Sequence, residues 1–146
     1  MHLNRAFFGY DEMADAKLVI LFDRFYSWLS EVGNRDEEEA NHWASRSYQD
    51  FEESDFEDCK WEDKMCDHKD SRYRAVNTGN EHTIELRLFA SSDNAVRLRQ
   101  MVDVAQAIAR YARECSVSDC LRITLEEFKK ILVSKSLYSR TAELLY

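Results

Sequence analysis

The sequence contains no proline and only three glycines among its 146 residues. Linkers between domains are usually rich in these residues, so the composition predicts one domain over residues 1–146. No apolar run reaches the roughly 18 residues that a membrane-spanning helix needs, and the first residues lack the pattern of a secretory signal. We therefore expect a soluble protein of the cytoplasm.

Cysteine is also scarce, and its four copies are too scattered for the disulfide framework of a small secreted protein. Cys59, Cys66 and His68 are close in sequence, but the spacing C-x6-C-x-H matches no common zinc site. We expect no metal site and reduced thiols. Phosphate-binding glycine loops, G-x-S-x-G and H-E-x-x-H are missing too, so the sequence predicts no catalytic residue and no cofactor.

Negative charge is abundant and concentrated in one segment. The formal net charge of the whole chain is −8. Residues 36–70 contain 14 acidic and 4 basic side chains, a net charge of −10, which leaves +2 for the rest of the chain. The negative electrostatic field of this segment repels nucleic acid and attracts basic surfaces.

The spacing of apolar residues predicts an α+β fold. The predicted elements are a short strand within 2–8, helices over 15–32 and 36–48, a β-hairpin over 72–89, a helix over 92–115, and a last helix from a Thr124–Glu127 capping box to Leu145. Residues 50–71 show no clear period. We expect a small antiparallel sheet, made of the hairpin and the N-terminal strand, packed on three to five helices. The acidic segment 36–70 would then be inserted between the first helix and the hairpin.

The hairpin is predicted to carry one apolar face and one charged face. If Asn77 pairs with His82, Arg74 lies opposite Glu85, and Arg72 lies opposite Arg87. The apolar residues Tyr73, Ala75, Ile84, Leu86 and Leu88 would pack on the long helix, whose stripe includes Leu98, Met101, Val102, Ala105, Ile108, Ala109 and Ala112. Two facing arginines repel each other. Either an anionic ligand or an extra carboxylate lies between them, or this face is solvated, with an Arg74–Glu85 ion pair and the other two arginines in water.

Two stretches resemble the amidoligase-like proteins, relatives of glutamine synthetase and glutamate–cysteine ligase that are often encoded by phages and mobile elements. "YRAVNTGNEHTIELRLF" is similar to the family pattern Y-x-x-V-N-x-x-N-x-x-T-I-E-x-R-x-F-R-G-T. "MHLNRAFFG" resembles an upstream family strand, H-[IV]-H-[VL]-[NS]-R, which is followed by a helix rich in leucine and phenylalanine. The resemblance covers residues 1 to about 113 and consists of two separated motifs in the expected order.

The resemblance implies ATP-dependent ligation of a carboxylate to an amine, with Mg²⁺ held by acidic residues and phosphate held by arginines. Glu85 would match a metal-binding carboxylate, Arg74 and Arg87 anion-binding positions, and His2 the second histidine of the strand. The chain lacks the upstream strands that supply most of the metal-binding glutamates, and Ala90-Ser91 replace the family's Arg-Gly. We therefore expect a truncated amidoligase-like fold that does not ligate.

The sequence thus favours a non-catalytic inhibitor from a phage or mobile element. Its acidic surface would block the basic surface of a nucleic-acid-binding host enzyme, such as a CRISPR nuclease, without binding nucleic acid or membrane itself. The partner-binding candidates are Glu37, Glu38, Glu39, Trp43, Asp50, Glu52, Glu53, Asp55, Glu57 and Asp58. The inherited polar face would comprise His2, Arg72, Arg74, Glu85 and Arg87. The alternative is a residual or split ligase, and the exposed sheet edge predicts a homodimer.

Overall fold

The computed structural model describes residues 1–47, 51–69 and 73–134. Its elements, in chain order, are β1 (His2–Asn4), a 3₁₀ helix (Arg5–Phe8), α1 (Glu12–Arg24), α2 (Tyr26–Val32), α3 (Glu37–Trp43), α4 (Glu53–Glu57), α5 (Trp61–Lys69), β2 (Val76–Asn77), β3 (Thr83–Leu86), α6 (Ala95–Glu114), α7 (Val117–Arg122) and α8 (Leu125–Ser134). The α+β class is therefore confirmed. None of the helices in these ranges is long and apolar enough to cross a membrane.

Strand β3 lies between the other two strands and pairs with both in antiparallel orientation. Asn77 lies opposite Glu85, and Val76 lies opposite Leu86. The predicted register, which set Asn77 opposite His82, is therefore wrong by three residues. Because side chains alternate along a strand, an odd shift exchanges the faces of one strand relative to the other. Val76 consequently shares the buried face with Leu86, each about 1 % exposed or less.

Helices α1 and α2 form the centre of the domain. The apolar residues at helical spacing within the predicted helix 15–32 form a buried stripe, each at most 3 % exposed: Leu18, Leu21, Phe22, Phe25 and Leu29. The single predicted helix is divided at Phe25, which separates α1 from α2. Phe25 stacks on Phe128 of α8, with ring centroids 5.1 Å apart, and so draws the last helix onto this centre.

Gly33, which follows α2, is required by a close approach of two backbone segments. A Cβ atom at Gly33 would lie 2.2 Å from the carbonyl oxygen of Leu88, which follows β3. The Ala90 N–H also donates to the Gly33 carbonyl at 3.0 Å. Any larger residue would therefore push α2 away from the end of the sheet. The left-handed turn falls one residue later, at Asn34, where φ is 56°.

Helix α6 packs chiefly against α1. Its buried stripe includes Met101, Ala105, Ile108, Ala109 and Ala112, as the sequence predicts, together with Val104. Leu98 and Val102 were expected in that stripe, but they are 41 % and 37 % exposed. Leu98 belongs to the first turns of α6, residues 95–100, which lie at the surface with no buried side chain. Val102 is rotated by about 100° from Met101 and lies at the edge of the buried stripe.

The sequence did not predict three short helices, α4, α5 and α7. The first two lie in residues 50–71, where no period is visible, because five to nine residues are too few to display a helical stripe. Helix α7 is fixed by a capping box in which Ser116 Oγ accepts from the Asp119 N–H at 3.1 Å. The predicted Thr124–Glu127 box at the start of α8 is confirmed by the same geometry, at 3.2 Å.

A buried ion pair connects the N-terminal segment to the sheet and to α1. The Arg5 guanidinium, with the residue 8 % exposed, donates to the carboxylate of Asp15, which is 1 % exposed. It also donates to the carbonyl oxygens of Thr78 at 2.5 Å and Asn80 at 2.9 Å. The Arg5 N–H donates to the His82 carbonyl at 3.0 Å. His82 therefore bonds to the N-terminal segment instead of Asn77, which explains the observed register.

Replacing Asp15 by alanine should strongly destabilise the protein. The substitution leaves the Arg5 charge buried without its carboxylate, which typically costs about 3–5 kcal/mol. Urea unfolding followed by circular dichroism measures this loss. Asp58→Ala is the matched control, because it removes an ion pair between two exposed side chains, Asp58 and Lys60, and should leave the midpoint nearly unchanged. Equal effects of the two changes would contradict the importance of the buried pair.

Candidate functional site

Polar side chains from all three strands meet around Glu85 in the central strand. His2 lies directly opposite Glu85 in β1. From β2, the Asn77 side-chain amide donates to Glu85 Oε2 at 3.2 Å. Arg87 Nη1 lies 3.6 Å from the same oxygen. The sheet thus brings together three of the five residues of the predicted polar face, and it adds Asn77, which the sequence analysis did not include.

The other two residues of that face are placed differently. Arg74 forms an isolated bridge with Ser45, and its Nη1 donates to the Arg46 carbonyl at 2.9 Å. Its expected position opposite Glu85 is therefore wrong, because the shift in register gives that place to Asn77. Arg72 lies outside the described residues.

Arg87 supports the main chain as well as pairing with Glu85. Its Nε donates to the carbonyl of Trp43, the last residue of α3, at 3.1 Å. Its guanidinium lies 5.5 Å from the centre of the Tyr73 ring. Cations at a helix C-terminus satisfy its free carbonyls and complement the helix dipole. Arg74 and Arg87, which the family resemblance assigns to anion binding, thus both donate to main-chain carbonyls here.

The polar face contains few groups that could bind a metal. Within the described ranges, no three His, Cys, Asp or Glu side chains lie close enough together to form a metal site. The Glu85 carboxylate already accepts from Asn77 and pairs with Arg87. Mg²⁺ bound with a nucleotide is usually held by protein carboxylates and substrate phosphates together. One carboxylate between an amide, an imidazole and a guanidinium can contact a small polar group, but it does not form such a site.

The four cysteines form no disulfide and differ in burial. Cys59 and Cys66 are exposed, and Cys115 is partly buried. Cys120 is fully buried, and burial raises the pKa of its thiol to about 12. A thiol with such a pKa is protonated at neutral pH, whereas thiolate is the reactive form.

The acidic segment forms α3, α4, α5 and their connections. Most of the predicted partner-binding residues lie at the surface: Glu38, Glu39, Trp43, Glu52, Glu53, Glu57 and Asp58 are exposed. The side chain of Glu37 and the whole of Asp50 lie outside the described part of the structure. Within that part, Glu38, Glu39 and Glu57 form no ion pair. Their charges are therefore presented to solvent.

Asp55 was expected to contact a partner, but it is only 8 % exposed. Its Oδ2 accepts from the Glu52 N–H at 2.7 Å, which caps α4, and from Lys64 Nζ of α5, also at 2.7 Å. The Lys64 hydrogen bond, followed by that from the Glu52 backbone, lowers the pKa of Asp55 below its usual range. Asp55 joins two helices and is not part of the exposed acidic surface.

Two further carboxylates of this segment are partly neutralised. Glu53 accepts from Arg122 Nη2 of α7 at 2.7 Å, which ties α4 to the body of the protein. Hydrogen bonds from Ser118, first, and from Arg122 lower the pKa of Glu53. Asp58 pairs with Lys60 at 2.7 Å. The uncompensated charge of the described part of this segment therefore includes Glu38 and Glu39 of α3, Glu57 of α4, and Glu62 and Asp63 of α5.

The aromatic residues of the acidic segment fall into two groups. Phe51 and Trp61 are 9 % and 8 % exposed, and Phe56 stacks on Trp61 with ring centroids 6.0 Å apart, so these rings anchor the segment. Trp43 is 46 % exposed and meets Tyr73, 37 % exposed, with ring centroids 5.9 Å apart. The prediction that Tyr73 faces the core is wrong. The sequence gives no signal for this pair, because the long-range bridge between Ser45 and Arg74 creates it.

Comparison of the chain with family models, with curated proteins and with solved structures gave no match. The relation to amidoligase-like proteins therefore stays a prediction from the two sequence motifs. Functional inference has to rest on the geometry of the polar face and of the acidic surface.

Replacing Asp55 by asparagine should change how stability depends on pH. Because folding lowers the pKa of Asp55, its ionised form stabilises the protein above the ordinary aspartate pKa of about 4, and this contribution disappears as the pH falls through the lower folded value. We expect Asp55→Asn to be less stable than the wild type at pH 7 and to show a smaller loss of stability below about pH 4. Urea midpoints measured from pH 7 to pH 2.5 test this, and parallel pH profiles would contradict it.

Proposed function

We propose that this protein is a non-catalytic binding protein whose acidic surface occupies the nucleic-acid-binding surface of another protein and inhibits it. The observation that carries this proposal is a group of exposed acidic residues: Glu38 and Glu39 on α3, Glu52 at the N-cap of α4, and Glu57 at its end. A formal net charge of −8 adds a long-range field that steers the protein towards basic surfaces.

The helices that carry these carboxylates are fixed to the body of the protein. Asp36 caps α3 by accepting from the Glu39 N–H at 2.8 Å, and Asp55 caps α4. Ala40 and Ala44, on and just after α3, are fully buried, so the helix lies firmly on the core. A preorganised set of charges loses less conformational entropy on binding than a flexible acidic tail does. This rigidity favours mimicry of the regularly spaced phosphates of a nucleic acid over nonspecific attraction.

A guide-loaded CRISPR nuclease is the partner class that fits best with a phage or mobile-element inhibitor. Such enzymes hold nucleic acid in a positively charged channel and recognise it largely through its backbone. A rigid acidic surface of one small domain can compete for part of that channel. Binding would then prevent the target DNA from entering.

Inhibition should depend on the exposed carboxylates of α3 and α4. The test measures DNA cleavage by a panel of guide-loaded CRISPR nucleases with the wild type and with a variant in which Glu38, Glu39, Glu52 and Glu57 are all replaced by lysine. We expect the wild type to inhibit one class of nuclease, in competition with DNA, and to weaken roughly ten-fold between low and physiological salt. The variant should not inhibit.

A matched variant controls for net charge alone. Lysine at Glu31, Glu81, Asp93 and Glu126 changes the charge equally on exposed positions outside the acidic surface. It should retain inhibition and, like the first variant, remain folded by circular dichroism, because exposed charges contribute little to stability. Equal loss in both variants would show that only total charge matters, and retained inhibition in the first variant would refute the proposed surface.

One observation favours the second candidate, a residual or split carboxylate–amine ligase. His2, Glu85 and Arg87 share one face of the sheet, as the family resemblance implies for a ligase site. We expect no ADP release from ATP with Mg²⁺ and mixed amino acids, because a single carboxylate cannot hold the metal ions of a nucleotide. A coupled ADP assay on the purified protein measures this. Mg²⁺-dependent ADP release that disappears in Glu85→Ala would favour the ligase and argue against the inhibitor.

A further inference from the structure

Trp43 lies at the edge of the acidic surface, at the end of α3. The other two tryptophans, Trp28 and Trp61, are at most 9 % exposed, whereas Trp43 is 46 % exposed. Glu39 precedes Trp43 by four residues on α3 and therefore lies on the same side of the helix. Long side chains on a helix lean towards its N-terminus, which brings the indole towards Glu39.

The rings of His42, Trp43 and Tyr73 meet at this point of the surface and form what we call the aromatic corner. The Tyr73 ring meets Trp43 at 62°, with ring centroids 5.9 Å apart. The His42 ring lies nearly perpendicular to Trp43, with centroids 4.3 Å apart. The main chain behind the corner is held by Arg87, whose Nε donates to the Trp43 carbonyl. The corner is therefore supported by a fixed backbone while its aromatic faces remain partly exposed.

The chemistry of this corner favours a guanidinium group as its ligand. The Tyr73 ring already has the Arg87 guanidinium 5.5 Å from its centre, so it makes this contact within the protein itself. The faces of Trp and Tyr attract cations, and tryptophan does so most strongly. Guanidinium is planar, stacks on rings and can bind a carboxylate with two parallel hydrogen bonds, whereas ammonium has no planar face to stack. Phosphate groups would be repelled by Glu38 and Glu39.

We propose that Trp43 and Tyr73, together with Glu39, bind one arginine side chain of the partner protein. The inference rests on the proposed function for the identity of the partner as a basic protein. It adds a specific anchor to a surface that is otherwise defined by charge. Arginine and tryptophan are the residue types most often found at the energetic centres of interfaces.

The isolated protein is sufficient to test this anchor. N-acetyl-arginine amide is titrated, at constant ionic strength, into protein labelled with ¹⁵N at the tryptophan indoles, and Trp43→Phe assigns the Trp43 signal. We expect the Trp43 signal to shift and saturate with a dissociation constant of roughly 10 mM, while the Trp28 and Trp61 signals remain in place. N-acetyl-citrulline amide, which has the same shape without the charge, should cause no saturable shift.

Two double variants separate the local carboxylates from the general acidity of the chain. Glu38→Gln with Glu39→Gln should weaken arginine binding at least roughly three-fold, the factor expected from losing one exposed charged contact. Glu62→Gln with Asp63→Gln, on exposed positions of α5, should leave it unchanged. Equal weakening by both pairs would overturn the proposal, as would no saturable shift with arginine or a larger Trp43 shift with adenosine monophosphate.

The outcomes for this anchor and for the proposed function can be distinguished. Loss of the arginine response, with inhibition of a nuclease still dependent on the α3–α4 carboxylates, would refute the anchor alone. A saturable shift of the Trp43 signal with arginine, without any charge-dependent inhibition, would refute the inhibitor function and still support the guanidinium site.

Discussion

The buried contact between Arg5 and Asp15 determines how the rest of the domain is arranged. Asp15 belongs to the central helix α1, whereas Arg5 follows the first strand, so their pairing fixes the sheet against the helical layer. The same guanidinium binds the carbonyls of Thr78 and Asn80 and thereby shapes the loop between β2 and β3. That loop sets the register of the hairpin, and the register decides which polar side chains surround Glu85. A long-range electrostatic contact thus controls the composition of a surface on the sheet.

The parts of the fold that could be predicted from the sequence are those that depend on local spacing. The Thr124–Glu127 box needs only residues within one turn, and the Asp36 cap at the start of α3 is equally local. The hairpin register was missed because it depends on Arg5, more than 70 residues away from the loop carbonyls. The same limit applies to Tyr73, whose exposure follows from pairing between distant segments. Alternation along one strand cannot reveal its partner's register.

The sequence predicted the negative charge of the candidate surface more reliably than it predicted which carboxylates are exposed and which make internal contacts. Composition places 14 carboxylates in residues 36–70, and most of those described are indeed exposed. Composition cannot show that Asp55 is used internally, since this depends on Lys64 approaching it from the next helix. Nor can it separate Trp43 from Trp61, because both lie in the acidic segment and only Trp61 has a hydrophobic cluster to join.

The arginines around the sheet and the carboxylates of the acidic segment therefore differ in what they contact. On the sheet, arginine side chains contact carbonyls or carboxylates of the protein itself: Arg5, Arg35, Arg74 and Arg87 each donate to a main-chain oxygen. On α3 and the exposed part of α4, carboxylates such as Glu38, Glu39 and Glu57 face solvent without an ion pair in the described chain. Cations that stabilise the fold are poorly available to an incoming anion, whereas exposed carboxylates lose little by meeting a cation. This asymmetry supports the proposal of a basic partner more than that of a phosphate-bearing substrate.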